Sequence, residues 1–109
     1  MTTITLYIDE DGDERGFRVS GHSFFRRKGK DIVCAAISTM TIFAINAIEV
    51  LTDDKPTVNK DDSDAMISCI FDQKPSEQAK KILYLFRIQA GDIVESYGKN
   101  ARIITETRR

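Results

Sequence analysis

The sequence predicts an α+β domain, a mostly antiparallel sheet with two long helices in the order ββαββαβ. Three observations carry this expectation: short stretches of alternating apolar and polar residues, two long stretches with helical patterning, and turn residues between them. The chain has 109 residues, 41% of them hydrophobic and 30% charged, which suits a single domain, residues 1–109, with its own core.

Residues 3–9 alternate, with Ile4, Leu6 and Ile8 on one face and Thr5 and Tyr7 on the other, as in a half-buried strand. Asp11-Gly12 marks a turn, and residues 16–20 form a second strand with Phe17 and Val19 pointing the same way. This hairpin leaves His22 just past its end, followed by a loop over 23–30. Asp31 is a good N-cap, and Ile32 to Leu51 contains neither Gly nor Pro, so it reads as one helix. The helix is long enough to cross a bilayer, but Ser38, Thr39, Thr41, Asn46 and Glu49 interrupt it. We read it as a core helix, apolar nearly all round and therefore buried on more than one side.

The segment 52–56 (TDDKP) ends that helix, and Val58 to Lys60 makes a short strand. A turn at Asp61–Asp64 leads into a clearer strand over 65–71, with Ala65, Ile67, Cys69 and Phe71 on one face. The second helix runs from about Ser76, its cap, to Tyr97, with Glu77 in the first turn and Pro75 just before. Ala79, Ile82, Leu83, Phe86, Ala90, Ile93, Val94 and Tyr97 follow the spacing of an amphipathic helix, and Gly91 weakens it locally. Ala101 to Thr105 is the last strand.

Composition excludes several function classes. A net charge of −1 gives no global field for nucleic acid or an anionic membrane. Two cysteines make no disulfide framework. His22, Cys34 and Cys69 supply at most three metal ligands and lack metal-type spacing, so no metal and no cofactor are expected. The opening MTTITLYIDEDGDER soon turns acidic and has no apolar run of signal length, which points to a cytoplasmic protein outside the membrane.

The chemistry lies in GHSFFRRKGKDIVCAAIS, residues 21–38. Asp31, Cys34 and Ser38 follow one another at helical spacing, on one edge near the helix N-terminus. A cysteine there feels the positive end of the helix dipole and the unpaired N–H groups, which favour a thiolate and can hold an oxyanion. His22 is the only imidazole available as a base, and Cys and His together suffice for acyl transfer. The plainer readings are a small core cysteine and a solvated histidine, with Asp31 only a cap and Ser38 only back-bonded to its helix. Cys69 reads as core.

The same segment resembles the signature of the ribosomal-processing cysteine protease family, Prp, which reads approximately GHA…G-x-DIVCAAVS. Gly21, His22, Gly29, Asp31, Ile32, Val33, Cys34, Ala35, Ala36 and Ser38 match, with the same gap from His to Cys; Ser23 and Ile37 depart mildly. The resemblance implies a homodimeric thiol protease that removes the N-terminal extension of large-subunit ribosomal protein twenty-seven. It implies Cys34 as nucleophile, His22 as base, and Asp31 and Ser38 as supporting residues, with an apolar subsite for an aromatic pair in the substrate.

The basic stretch over 24–30, with Gly21 and Gly29 as hinge points, reads as a solvated loop, a lid that orders on substrate, or an RNA contact. A rival from another class follows from the last: a ribosome-associated RNA-binding protein without catalysis.

Overall fold

The computed structural model describes residues 1–21, 32–63 and 65–108. In chain order the elements are β1 (Thr2–Ile8), β2 (Glu14–Ser20), α1 (Ile32–Leu51), β3 (Thr57–Asp61), β4 (Met66–Ile70), α2 (Glu77–Ser96) and β5 (Ala101–Thr107). The expected order ββαββαβ is therefore observed. One five-stranded sheet has the spatial order β3-β4-β2-β1-β5. The β1–β2, β2–β4 and β3–β4 pairs are antiparallel, and β5 runs parallel to β1.

Local chemistry explains the breaks. Asp9 Oδ1 accepts hydrogen bonds from the N–H groups of Asp11 and Asp13, closing the hairpin turn, and Gly12 adopts φ +83° there. Ser76 caps α2: its hydroxyl accepts from the N–H of Ala79. The Ser76 N–H and hydroxyl both donate to Asp54, which ties the α1–β3 loop to the start of α2. Burial opposes the charge on Asp54, but the bonds from Ser76 outweigh it and hold the carboxyl below its usual range.

The core lies between the sheet and the two helices. Ile4, Phe17, Val19, Ile37, Ile48 and Leu83 are among its fully enclosed side chains, and the Phe17 and Phe86 rings stack at 4.0 Å, joining β2 to α2. Gly16, at φ +142°, is required: a Cβ there would run into the Cys69 carbonyl oxygen on β4.

Two expectations need correction. First, β1 is more than half-buried: Thr5 and Tyr7 on its second face are also enclosed. The strand lies between β2 and β5, and the Arg108 guanidinium sits 5.4 Å from the centre of the Tyr7 ring. Second, α1 is not buried on more than one side. Val33, Cys34, Ile37, Thr41, Ala44 and Ile48 form one buried stripe, while Phe43 is 73% exposed and Ile42, Val50 and Leu51 also face outward. By length and composition α1 could cross a membrane, but that stripe is part of the core cluster.

Candidate active site

Cys34 is the third residue of α1, in its first turn. The first turn of an α-helix presents its backbone N–H groups at the positive end of the helix dipole, and Cys34 sits in that field. Cys34 is 7% exposed and packs in the core cluster with Val33 and Ile37, its neighbours on the buried stripe. Ser38, half-buried, follows one turn later on the same side. His22, Asp31, Gly29 and the basic stretch 24–30 lie outside the described residues.

Gly21, the residue before His22, is held firmly. Its N–H donates to the Ala65 carbonyl at 3.1 Å. At φ +144° it lies so near the start of β1 that a Cβ would stand 2.9 Å from the Met1 carbonyl oxygen and from the Thr2 Cα. Close approach is thus a requirement on this glycine, in addition to the hinge read from sequence. Ala65 itself takes φ +49° after the β3–β4 turn, where Asp61 Oδ1 accepts from the N–H and hydroxyl of Ser63.

Ile45, Ile48 and Glu49 of α1 line one cavity with Pro56 and Val58, at the start of β3, and Thr57 pairs with Ile70 at that end of the sheet. The first turn of α1 therefore lies toward the opposite end, where β2 finishes and His22 follows Gly21. The fold thus brings the end of β2 and the first turn of α1 to one end of the sheet.

The second thiol is different. Cys69 is 0% exposed on β4, and burial pushes its pKa up to about 12. It is core, as expected.

Sequence reading missed one charged cluster. The Lys74 ammonium lies 3.3, 3.2 and 3.0 Å from carboxylate oxygens of Asp9, Asp11 and Asp13, and Arg15 stands 3.6 Å from Asp9. These carboxylates are close enough together to share a cation, and Lys74 supplies one. The acidic run in the turn was the visible signal. Its partner lies 61 to 65 residues away, beyond any local pattern.

A sequence profile of the family described as cysteine protease Prp matches residues 1–102. The chain belongs to the Prp family. It is a cysteine protease, as the signature implied. The chain is similar to the ribosomal processing cysteine protease Prp of Staphylococcus aureus (strain Mu50 / ATCC 700699), 28% identical over 103 residues, covering 94% of this chain and 97% of that one. The corresponding Prp of Bacillus subtilis (strain 168) is 24% identical over 109 residues, covering 96% and 97%. A crystal structure of the S. aureus Prp in complex with a covalently linked product peptide superposes with a TM-score of 0.87 at 27% identity, covering 97% of this chain and 100% of that one. A Streptococcus mutans protein, 23% identical with a TM-score of 0.86, shares the fold, covering 99% of this chain and 96% of that one.

Proposed function

We propose that this protease removes the N-terminal extension of a ribosomal protein, large-subunit protein twenty-seven, with Cys34 as nucleophile and His22 as general base. The observation that carries the reading is the place of Cys34 in the first turn of α1. Support also comes from the S. aureus relative, solved with a covalently linked product peptide and with a substrate peptide.

The steps follow from these groups. His22 takes the proton from Sγ, and the thiolate attacks the scissile carbonyl carbon. The oxygen becomes an oxyanion, held by first-turn N–H groups of α1. The C–N bond breaks as the imidazolium gives its proton to the leaving amine, and a thioester remains. Water, deprotonated by His22, attacks the thioester, so the second product leaves as a carboxylate and the thiol is restored. Asp31 orients the imidazole or caps α1, and Ser38 supports the same edge. The protein acts in the cytoplasm, as a homodimer.

The experiment is cleavage of a peptide spanning the extension, with wild type, Cys34→Ser and His22→Ala side by side. Cutting by wild type alone supports both assignments. Equal cutting by either variant removes that residue from its role.

A further inference from the structure

The sheet has two faces, and the two helices pack on only one of them. Ile4, Leu6, Phe17, Val19, Ile67 and Cys69 lie on the helix side and belong to the core cluster. The residues between them on each strand share the opposite face. Strand register sets these in rows. Asn59, Ser68, Arg18, Thr5 and Ile104 lie side by side across all five strands. The next row, toward Gly21, holds Asp61, Met66, Ser20, Thr3 and Arg102. Neither helix covers this face.

Two exposed arginines stand on it with no carboxylate partner. Arg18 is on β2, the central strand, and among the described residues its side chain makes no hydrogen bond or ion pair. Arg102, on the edge strand β5, donates from Nε to the Thr3 hydroxyl at 3.0 Å, which spends one of its five donors. The two Cα atoms stand at least about 10 Å apart, across two strand spacings. Arg108, over the Tyr7 ring, adds a guanidinium about 20 Å along the edge from Arg102. Carboxylates of the same face lie at its margins: Asp61 on β3 accepts from Ser63, Asp72 stands 3.9 Å from Arg108, and Glu106 is on β5.

We propose that this open sheet face binds RNA, with Arg18 and Arg102 on phosphates and Thr3, Ser20 and Asn59 on neighbouring sugar or phosphate oxygens. The partner class rests on the reading above, in which the substrate is a ribosomal protein whose own partner is RNA. Charge favours a polyanion: guanidiniums spread over about 20 Å match repeated phosphates better than one small anion. The hydroxyl and amide side chains between them both donate and accept, as ribose 2′-OH groups do, whereas the carboxylates of an acidic peptide only accept. The whole chain is at −1, so the attraction is local, and affinity is modest and falls steeply with salt. The row with Arg102 is also the one nearest Gly21, so RNA seated there holds the active-site end of the sheet close to its substrate.

The test is fluorescence anisotropy of a labelled single-stranded RNA of about 12 nucleotides with the full chain, from about 50 to about 200 mM salt. Variants are Arg18→Gln, Arg102→Gln, Arg18→Lys and, as a control of equal charge change, Lys81→Gln on the exposed side of α2. Wild type is expected to bind with an affinity that falls about tenfold over that salt range. Each glutamine variant on the sheet weakens binding about fivefold and flattens the salt dependence. Arg18→Lys regains most of the affinity, and Lys81→Gln stays within about twofold of wild type. All variants keep the wild-type thermal transition and rate on the free extension peptide. No binding by wild type overturns the proposal. So does binding that both glutamine variants leave unchanged, or that Lys81→Gln weakens equally. Polyglutamate that competes as well as unlabelled RNA overturns the choice of partner. Anisotropy needs no cleavage: a chain that binds RNA in this way but cuts no peptide keeps the face and removes the protease reading.

Discussion

Cys34 is 7% exposed in the first turn of α1, and Cys69 is 0% exposed on β4, so burial hardly separates the two thiols. What separates them is the backbone around them. Cys69 is paired on both sides, with Phe17 in the β2–β4 ladder and Val58 in the β3–β4 ladder, and Gly16 lets β2 approach the Cys69 carbonyl closely. The N–H groups around Cys34 begin a helix, at the positive end of its dipole. The lesson is that a buried thiol becomes a candidate nucleophile through its place at a helix start, not through exposure.

The largest expected effect breaks the comparison directly. Cys34→Ser lowers kcat/KM on the extension peptide by about 10³-fold or more, while Cys69→Ser leaves cleavage within a few-fold of wild type. Full activity in Cys34→Ser would end the nucleophile assignment. Labelling sharpens the contrast further. With its pKa at about 12, Cys69 is thiolate at only about one part in 10⁴ at pH 8. Iodoacetamide is expected to modify Cys34 at least about 100-fold faster than Cys69, on a pH profile below that of ordinary cysteine. Peptide mass mapping of a timed reaction reads both sites, and equal rates would remove the distinction.

Much of this was legible in the sequence, for definite reasons. Strand alternation and the Ser76 cap are local patterns, so the order of elements followed from them. The place of Cys34 was legible because Asp31 and the uninterrupted run from Ile32 announce a helix start. The outward face of α1 was not: periodicity counts apolar residues such as Phe43 and Val50 without saying what each one faces. Nor was the second buried face of β1, since Thr5 and Tyr7 look like solvent-facing residues until β5 arrives alongside from the far end of the chain. The hold of Ala65 on Gly21 spans the sequence in the same way and leaves no local mark.

Stability effects are smaller. Gly16→Ala must relieve both φ +142° and a collision with the Cys69 carbonyl, costing about 3 kcal/mol. Gly91→Ala, on α2 with nothing within 4 Å of the added Cβ, gains about 0.5–1 kcal/mol instead. Urea melts of the two variants measure both signs. A neutral Gly16→Ala would show that the β2–β4 contact yields. Cys69→Ser places a hydroxyl in an apolar core and costs about 1–3 kcal/mol. A lowered thermal midpoint with cleavage intact is the outcome that marks Cys69 as structural.

The smallest effect asks whether the two cysteines share one cooperative unit. Asp54 links the end of the helix that carries Cys34 to the cap of α2, and its carboxyl is held below its usual value of 3.8 by the two bonds from Ser76. A depressed carboxyl contributes its stability fully above the unfolded value and loses it as pH falls through the folded one. Wild type is therefore expected to exceed Asp54→Asn by about 0.5–1 kcal/mol at pH 7, with the gap closing below pH 4. Urea unfolding at pH 7 and pH 3 reads the difference, and a gap that widened in acid would reverse the assigned sign. Because the link lies far from both thiols, Asp54→Asn is expected to leave their labelling ratio unchanged under native conditions. A ratio that falls toward one would mean that α1 and the sheet open as separate units.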